Sequence, residues 1–252
     1  MSAPVALVTG AGDRLGKAMA LALAGRGYAV AVHYNRSADK AQSVVDAVAA
    51  QGVGAVALGA DLSDEDATAT LVARAREALG PLSVLINSAS RFDADELDTM
   101  TRASWDAHME PNLRAPIKLA QDFAAQAVAG ANNLVVNLID QRVLKLTPQF
   151  FSYTLSKAAL YSATKTLAQA LAPSGIRVNG IGPGPTMRNV RQSEADWQAQ
   201  NEATVLGRGA TPDDIVAALF YLIDAAPVTG QMIAVDGGQH LAWRTPDVLV
   251  NE

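Results

Sequence analysis

The sequence predicts one α/β domain, residues 1–252, built on a doubly wound parallel sheet. Three observations predict it. First, short apolar runs rich in Val, Ile and Leu recur at 5–9, 28–33, 53–58, 82–87, 132–138, 175–179 and 231–235. They are continuous rather than alternating, as strands buried on both faces require. Second, amphipathic stretches at 15–26, 38–51, 64–79, 101–129, 149–171 and 212–225 lie between them, and strand–helix alternation produces βαβ units. Third, 252 residues suit a single α/β unit of about 250. Only 18 % of residues are charged and 50 % are hydrophobic, against roughly 25 % charged in an average domain. So little polar surface suits a sheet covered on both sides, or subunit interfaces.

Taken in order, the first run leads into Thr9-Gly10-Ala11-Gly12-Asp13-Arg14-Leu15-Gly16. Glycines there let the backbone turn sharply and approach a phosphate, which the N-terminus of the next helix attracts. The second run ends in His33-Tyr34-Asn35-Arg36-Ser37. In dinucleotide folds this end meets the adenosine ribose, where an acid favours NAD and an Arg favours the 2′-phosphate of NADP. Arg36 and Ser37 stand there with no acid before Asp39, which predicts NADPH. Ser37 is a candidate N-cap for the helix that follows. The third run ends before Asp61-Leu62-Ser63. Asp61 could accept from an adenine amino group or cap the next helix, and Ser63 is a candidate N-cap. Later, Thr211 with Pro212 at the first helical position opens 212–225. The irregular, polar stretch 183–210 is long for a compact domain, and such loops are often active-site lids.

Several function classes drop out. The chain has no cysteine, so thiolate chemistry and Cys-based metal sites are excluded. Its three histidines, His33, His108 and His240, lack metal-motif spacing, and no metal site is expected. A G-x-S-x-G nucleophile elbow is missing. With 20 basic against 25 acidic residues and no basic run, nucleic-acid binding has no support. Neither a signal peptide nor an apolar stretch of about 20 residues is seen, so a soluble, cytoplasmic chain that does not engage membranes is expected.

Tyr153 and Lys157 stand four residues apart on a predicted helix, hence on one face. A free tyrosine titrates near 10. A neighbouring ammonium is expected to lower that value and make Tyr153 a proton donor to a carbonyl or imine under reduction.

Thr9-Gly10…Gly16, Asn87-Ser88-Ala89, Asn112, Tyr153-x-x-x-Lys157, Arg177-Val178-Asn179-x-x-x-Pro183-Gly184, Thr229-Gly230-Gln231 and Asp236-Gly237-Gly238 occur in one chain. Their types and order resemble the short-chain dehydrogenase/reductase family over nearly the whole length. The resemblance implies a seven-stranded Rossmann-like fold and NAD(P)-dependent hydride transfer. It implies Tyr153 as the acid, Lys157 on the nicotinamide ribose, and Asn112 holding a water in a proton relay. Asn87 and Ala89 would line the cofactor, with Pro183 and Gly184 beside the nicotinamide. The family's usual serine about 13 residues before the tyrosine is Asp140 here, and a glycine of the first loop is Arg14. Both resemble the pteridine reductase branch. The segment His33–Ser37, Ser90 and Phe92 also match that branch, in which the aromatic ring stacks on the pterin and the serine contacts cofactor or substrate. The substrate set implied is Arg14, Ser90, Phe92, Asp140 and Tyr153. Ser88 departs from the family's asparagine, with little effect expected on chemistry.

The expected activity is NADPH-dependent reduction of a pterin-like C=N bond. A short-chain carbonyl or imine reductase is the alternative, and a redox-inactive NADPH-binding regulator is a second one of another class. Phe150, Phe151, Leu160 and Tyr161 give the predicted helices 101–129 and 149–171 more than one apolar face, which suggests partner contacts. The family resemblance implies a homotetramer. His240 to Trp243 could reach a neighbouring subunit's site.

Overall fold

The computed structural model describes residues 3–244. Its strands are β1 (Val5–Val8), β2 (Ala29–Tyr34), β3 (Ala55–Gly59), β4 (Leu82–Asn87), β5 (Asn133–Leu138), β6 (Ile176–Pro183) and β7 (Met232–Val235). They pair in parallel in the order β3-β2-β1-β4-β5-β6-β7. Alternate residues of each strand point to opposite faces, and both faces are buried. Ala6, Val8, Val30, Val32, Ile86 and Val136 belong to one core, and Val5, Leu7, Ala31, Leu85, Val135 and Val178 to the other. Two cores on one sheet are why the strands read as unbroken apolar runs.

The helices are α1 (Arg14–Gly25), α2 (Ala38–Ala49), α3 (Glu65–Leu79), α4 (Arg102–Met109), α5 (Ala115–Gln126), α6 (Phe151–Leu171), α7 (Glu194–Glu202) and α8 (Pro212–Asp224). Thr211 caps α8 through a capping box with Asp214, as its sequence suggests. Four expectations change. The helix expected over 101–129 is two helices joined by one π-turn at Glu110–Arg114. Pro111 and Pro116 lack the N–H that an uninterrupted α-helix needs at those positions. Ser63 is not the cap of α3. Asp64 is, accepting from the N–H groups of Asp66 and Ala67, while Asp61 accepts from Ser63 N in the turn before it. The stretch 183–210 contains α7, capped by Ser193 and Asp196. Finally, Leu160 is buried and Phe150 faces a cleft, so neither belongs to an outer face of α6.

The chain leaves β1 for β2 and β3 on one side, then returns to β4 and continues outward on the other. β1 and β4 therefore flank the point where strand order reverses, and a crevice opens there beyond the carboxyl ends of the strands. Thr9 stitches the rim. Its hydroxyl donates to Ile86 O and accepts from Ser88 N and Ala89 N. Among the described residues no helix is long and apolar enough to cross a membrane, and no cluster of side chains is suited to a metal ion.

Candidate active site

A cleft of about 1150 Å³ runs across this switch point. Gly10, Arg14, Leu15 and Gly16 line one end, with His33, Tyr34, Asn35, Arg36, Ser37, Asp61 and Leu62 beyond them. Ala89, Ser90, Phe92, Asp140, Tyr153, Lys157, Pro183 and Gly184 line the other end. Sequence reasoning thus places nearly all its candidates in one depression.

The glycine turn is shaped by its neighbours. Gly10 has φ of +63°, and a Cβ there would lie 2.9 Å from the Cα of Ala89. A Cβ on Gly16 would press into the carbonyl oxygen of Gly10. His33 braces the turn from below. Gly10 N donates to its Nδ1 at 3.0 Å, and Nε2 lies 3.0 Å from Ala60 O. A backbone amide can only donate, so Nδ1 is the acceptor and Nε2 carries the proton. Burial keeps this ring neutral, pulling its pKa to about 4.

At the other end, the Tyr153 hydroxyl donates to Asp140 Oδ2 at 2.6 Å. Asp140 Oδ1 accepts from Arg142 N at 2.8 Å, so this carboxylate caps a short turn and faces the cleft at once. Lys157 Nζ donates to Leu138 O at 2.8 Å and lies 5.9 Å from the centre of the Tyr153 ring. Burial pulls the Lys157 ammonium down to about 8, against the opposing pull of Asp140. The expected lowering of Tyr153 is reversed. Burial and the Asp140 carboxylate push its phenol well above the usual value, which keeps the proton on the oxygen that would donate it.

Phe92 stacks on Phe150 at 4.3 Å, with rings 14° apart, and meets Tyr153 edge-on at 4.6 Å. Phe150 takes φ of +55° to do so. Sequence reasoning missed this wall, because nothing local announces a left-handed phenylalanine. Arg191, on the segment before α7, donates to Phe92 O. Arg14 donates to Met187 O and Arg188 O at 2.9 and 3.1 Å, so its guanidinium clasps that segment instead of reaching only for ligand. Trp197 and Gln200 of α7 also line the cleft. Gln239 lines it too, and next to it His240 is tied to Asp236 of its own chain.

Two candidates lie beneath the cleft. Asn87 is buried and donates to Asn137 Oδ1 at 2.9 Å, bracing β4 to β5. Ser88 lines the cleft in its place. Asn112, in the π-turn, spends its side chain on the protein. It donates to Arg91 O and Ser156 Oγ and accepts from Arg91 N and Ser90 Oγ. Both ends of that side-chain amide are thus held by protein groups.

A family model described as "Enoyl-(Acyl carrier protein) reductase" matches residues 10–240. The chain belongs to the short-chain dehydrogenase/reductase family. Like other short-chain dehydrogenases/reductases, it is an oxidoreductase. Among its family relatives is the 3-oxoacyl-[acyl-carrier-protein] reductase FabG of Staphylococcus aureus. It is 31 % identical over 240 residues, covering 94 % of this chain and 98 % of that protein. Solved structures include FolM Alternative dihydrofolate reductase 1 from Brucella canis, complexed with NADP. That protein is 43 % identical, with a TM-score of 0.92 and 98 % of both chains covered. FolM Alternative dihydrofolate reductase 1 from Brucella suis, also in complex with NADP, is 45 % identical, with a TM-score of 0.92 and coverage of 97 % of this chain and 98 % of that one. A short-chain dehydrogenase from Burkholderia cenocepacia, in complex with NADP, is 34 % identical, with a TM-score of 0.88 and coverage of 94 % and 98 %.

The residues of this short-chain dehydrogenase/reductase fit a dinucleotide. The cleft exceeds the roughly 300–1,000 Å³ of a pocket for one small ligand, and the loop at its end has no room for Cβ atoms at Gly10 and Gly16. That leaves bare backbone and the positive end of α1 to face phosphate.

Proposed function

We propose that the protein is an NADPH-dependent reductase of a pterin-like substrate, a dihydropterin or dihydrofolate, acting on a C=N bond. The observation that carries this reading is the Tyr153–Asp140 hydrogen bond beside the Phe92–Phe150 stack. The acid and a flat aromatic wall share one end of the cleft. NADPH, when bound, supplies the hydride to the carbon of the C=N bond. Tyr153 gives its proton to the nitrogen, and Lys157 stabilises the phenolate left behind. Asp140 accepts hydrogen bonds from ring N–H or amino groups, which a serine would do with less charge. Residues 187–192, held by Arg14 and Arg191, act as a lid over that end. The FolM structures support this reading at higher identity than the FabG relatives do.

The test is NADPH oxidation with dihydrobiopterin, dihydromonapterin and dihydrofolate. Turnover on a ketone panel but on none of these overturns the pterin reading. That outcome would favour the second reading, a carbonyl reductase, to which the FabG relatives point. A further discriminator is Phe92→Ala. Loss of a stacking contact worth about 0.5–1.5 kcal/mol should lower kcat/KM for a pterin about three- to tenfold, while reduction of an aliphatic ketone changes little. Equal losses on both would place Phe92 in general packing.

Cofactor choice has its own test. Charge-assisted hydrogen bonds contribute about 1.5–3 kcal/mol each. Arg36→Ala should therefore cost NADPH about ten- to a hundredfold in kcat/KM and leave NADH nearly unaffected. A parallel fall for both cofactors would remove Arg36 from 2′-phosphate recognition.

A further inference from the structure

Asp95, His108 and Ser152 form a buried cluster that none of the steps above uses. Their exposures are 6 %, 1 % and 0 %, and none of them lines the cleft. Two of them stand close in sequence to groups that do: Asp95 is three residues after Phe92, and Ser152 immediately precedes Tyr153.

The cluster begins as a helix cap. Phe150 is left-handed at the start of α6 and supplies no side-chain cap, so the first N–H groups of α6 need partners from elsewhere. The segment after β4 provides them. Phe151 N donates to Asp95 O and Ser152 N donates to Asp95 Oδ1, both at 3.0 Å. The Ser152 hydroxyl donates to the other carboxylate oxygen, Asp95 Oδ2. Asp95 is thus the cap of α6 from 57 residues away.

The chain of hydrogen bonds then continues to His108. Asp93 N donates to His108 Nε2 at 3.1 Å. An amide cannot accept, so the proton of the neutral ring sits on Nδ1. That Nδ1 lies 2.7 Å from Ser152 Oγ and 3.0 Å from Ser104 O. The Nδ1–H is shared between Ser104 O and the Ser152 hydroxyl, and that hydroxyl, having given its own proton to the Asp95 carboxylate, can only accept from the ring. Both ends are anchored on residues 93–95, just after Phe92, and the middle sits on the residue before Tyr153. The rings of Phe92 and Tyr153 touch at 4.6 Å, and the His108 ring stands 6.2 Å from that of Tyr153.

We propose that Asp95, Ser152 and His108 are positioning residues that set the Tyr153 phenol and the Phe92 ring against each other through this one-way hydrogen-bond chain. The proposal rests on reduction at Tyr153, not on the pterin identity of the substrate. Placement is the quantity at stake, since an error of about 1 Å costs about a hundredfold in rate.

Asp95→Asn tests it with almost no change of shape. If the amide oxygen keeps the bond to Ser152 N, its NH₂ group faces Ser152 Oγ, whose own proton then has no acceptor. Rotating the amide sets NH₂ against the Ser152 N–H instead. His108 cannot relieve either arrangement without turning an N–H toward Asp93 N. The assay is steady-state reduction with saturating NADPH, NADPH affinity by fluorescence, and Tm. Asp95→Asn should lower kcat ten- to a hundredfold with NADPH affinity within twofold of wild type. Ser152→Ala should act in the same direction, and the double variant should be no worse than the worse single one, because one chain is broken either way. Unchanged kcat in folded Asp95→Asn or Ser152→Ala overturns the proposal. So does a loss that merely follows cofactor affinity or folded fraction, or effects that add. If Asp95→Asn does not fold, Ser152→Ala alone decides. Should wild type reduce ketones but no pterin, the pterin reading fails and the network is read on the ketone.

Discussion

Tyr153→Phe lowers kcat about 10²- to 10⁴-fold while NADPH still binds with near wild-type affinity. The range is what a positioned general acid contributes. Phenylalanine keeps the ring against Phe92 and His108 and removes only the hydroxyl. Burial and Asp140 hold the wild-type phenol in its protonated form, so it enters the reaction as an acid and leaves it as a phenolate. Lys157 must then be an ammonium to stabilise that anion, and it is one below about 8. Reduction should therefore fall as pH rises through about 8, on account of Lys157 and before Tyr153 itself ionises. kcat measured from pH 6 to 10 checks the sign. An alkaline rise, or Tyr153→Phe retaining more than a tenth of wild-type kcat, would mean the proton comes from another group, with Asp140 the nearest.

Gly16→Ala should weaken NADPH binding about five- to a hundredfold and lower Tm. The new Cβ would press on the Gly10 carbonyl and lie 3.0 Å from Ala11 Cα. Both obstacles are backbone, so no side chain can swing aside, and the turn itself must move. Overpacking of this kind costs about 1–3 kcal/mol, and the displaced atoms are those proposed to face the phosphates. Gly12→Ala is the internal control. Its Cβ would meet Ala41 N at 3.4 Å, an ordinary contact, so affinity should stay within a few fold. Fluorescence titration of both variants decides. Equal effects, or a tight-binding Gly16→Ala, would show that the loop does not hold the cofactor through its shape.

The sheet was legible because its signal is local. Residues such as Leu7 and Val8 enter opposite cores, so a strand needs no alternation and reads as a run. Tyr153 and Lys157 were legible for the same reason, since one helical turn sets their spacing. The break in 101–129 had a visible signal in Pro111 and Pro116, outweighed by the surrounding helical pattern. Other features had none. The clasp from Arg14 to residues 187 and 188 spans more than 170 positions. The role of Asn112 depends on which backbone arrives beside it, and the same holds for Asp95 and Ser152. Side-chain contacts across such separations follow from tertiary packing, which periodicity does not encode.

The clasp also has a consequence for how the enzyme comes into being on the ribosome. The glycine turn and its Ala89 wall belong to the first ninety or so residues, whereas the carbonyls that Arg14 grips are synthesised about 100 residues later. At about 5–20 residues per second this is a delay of roughly 5–20 s. Through that interval the growing chain carries Arg14 with neither of its two acceptors yet made. The lining of the cleft is therefore made from the glycine turn toward Tyr153, and the two carbonyls that Arg14 grips come after Tyr153.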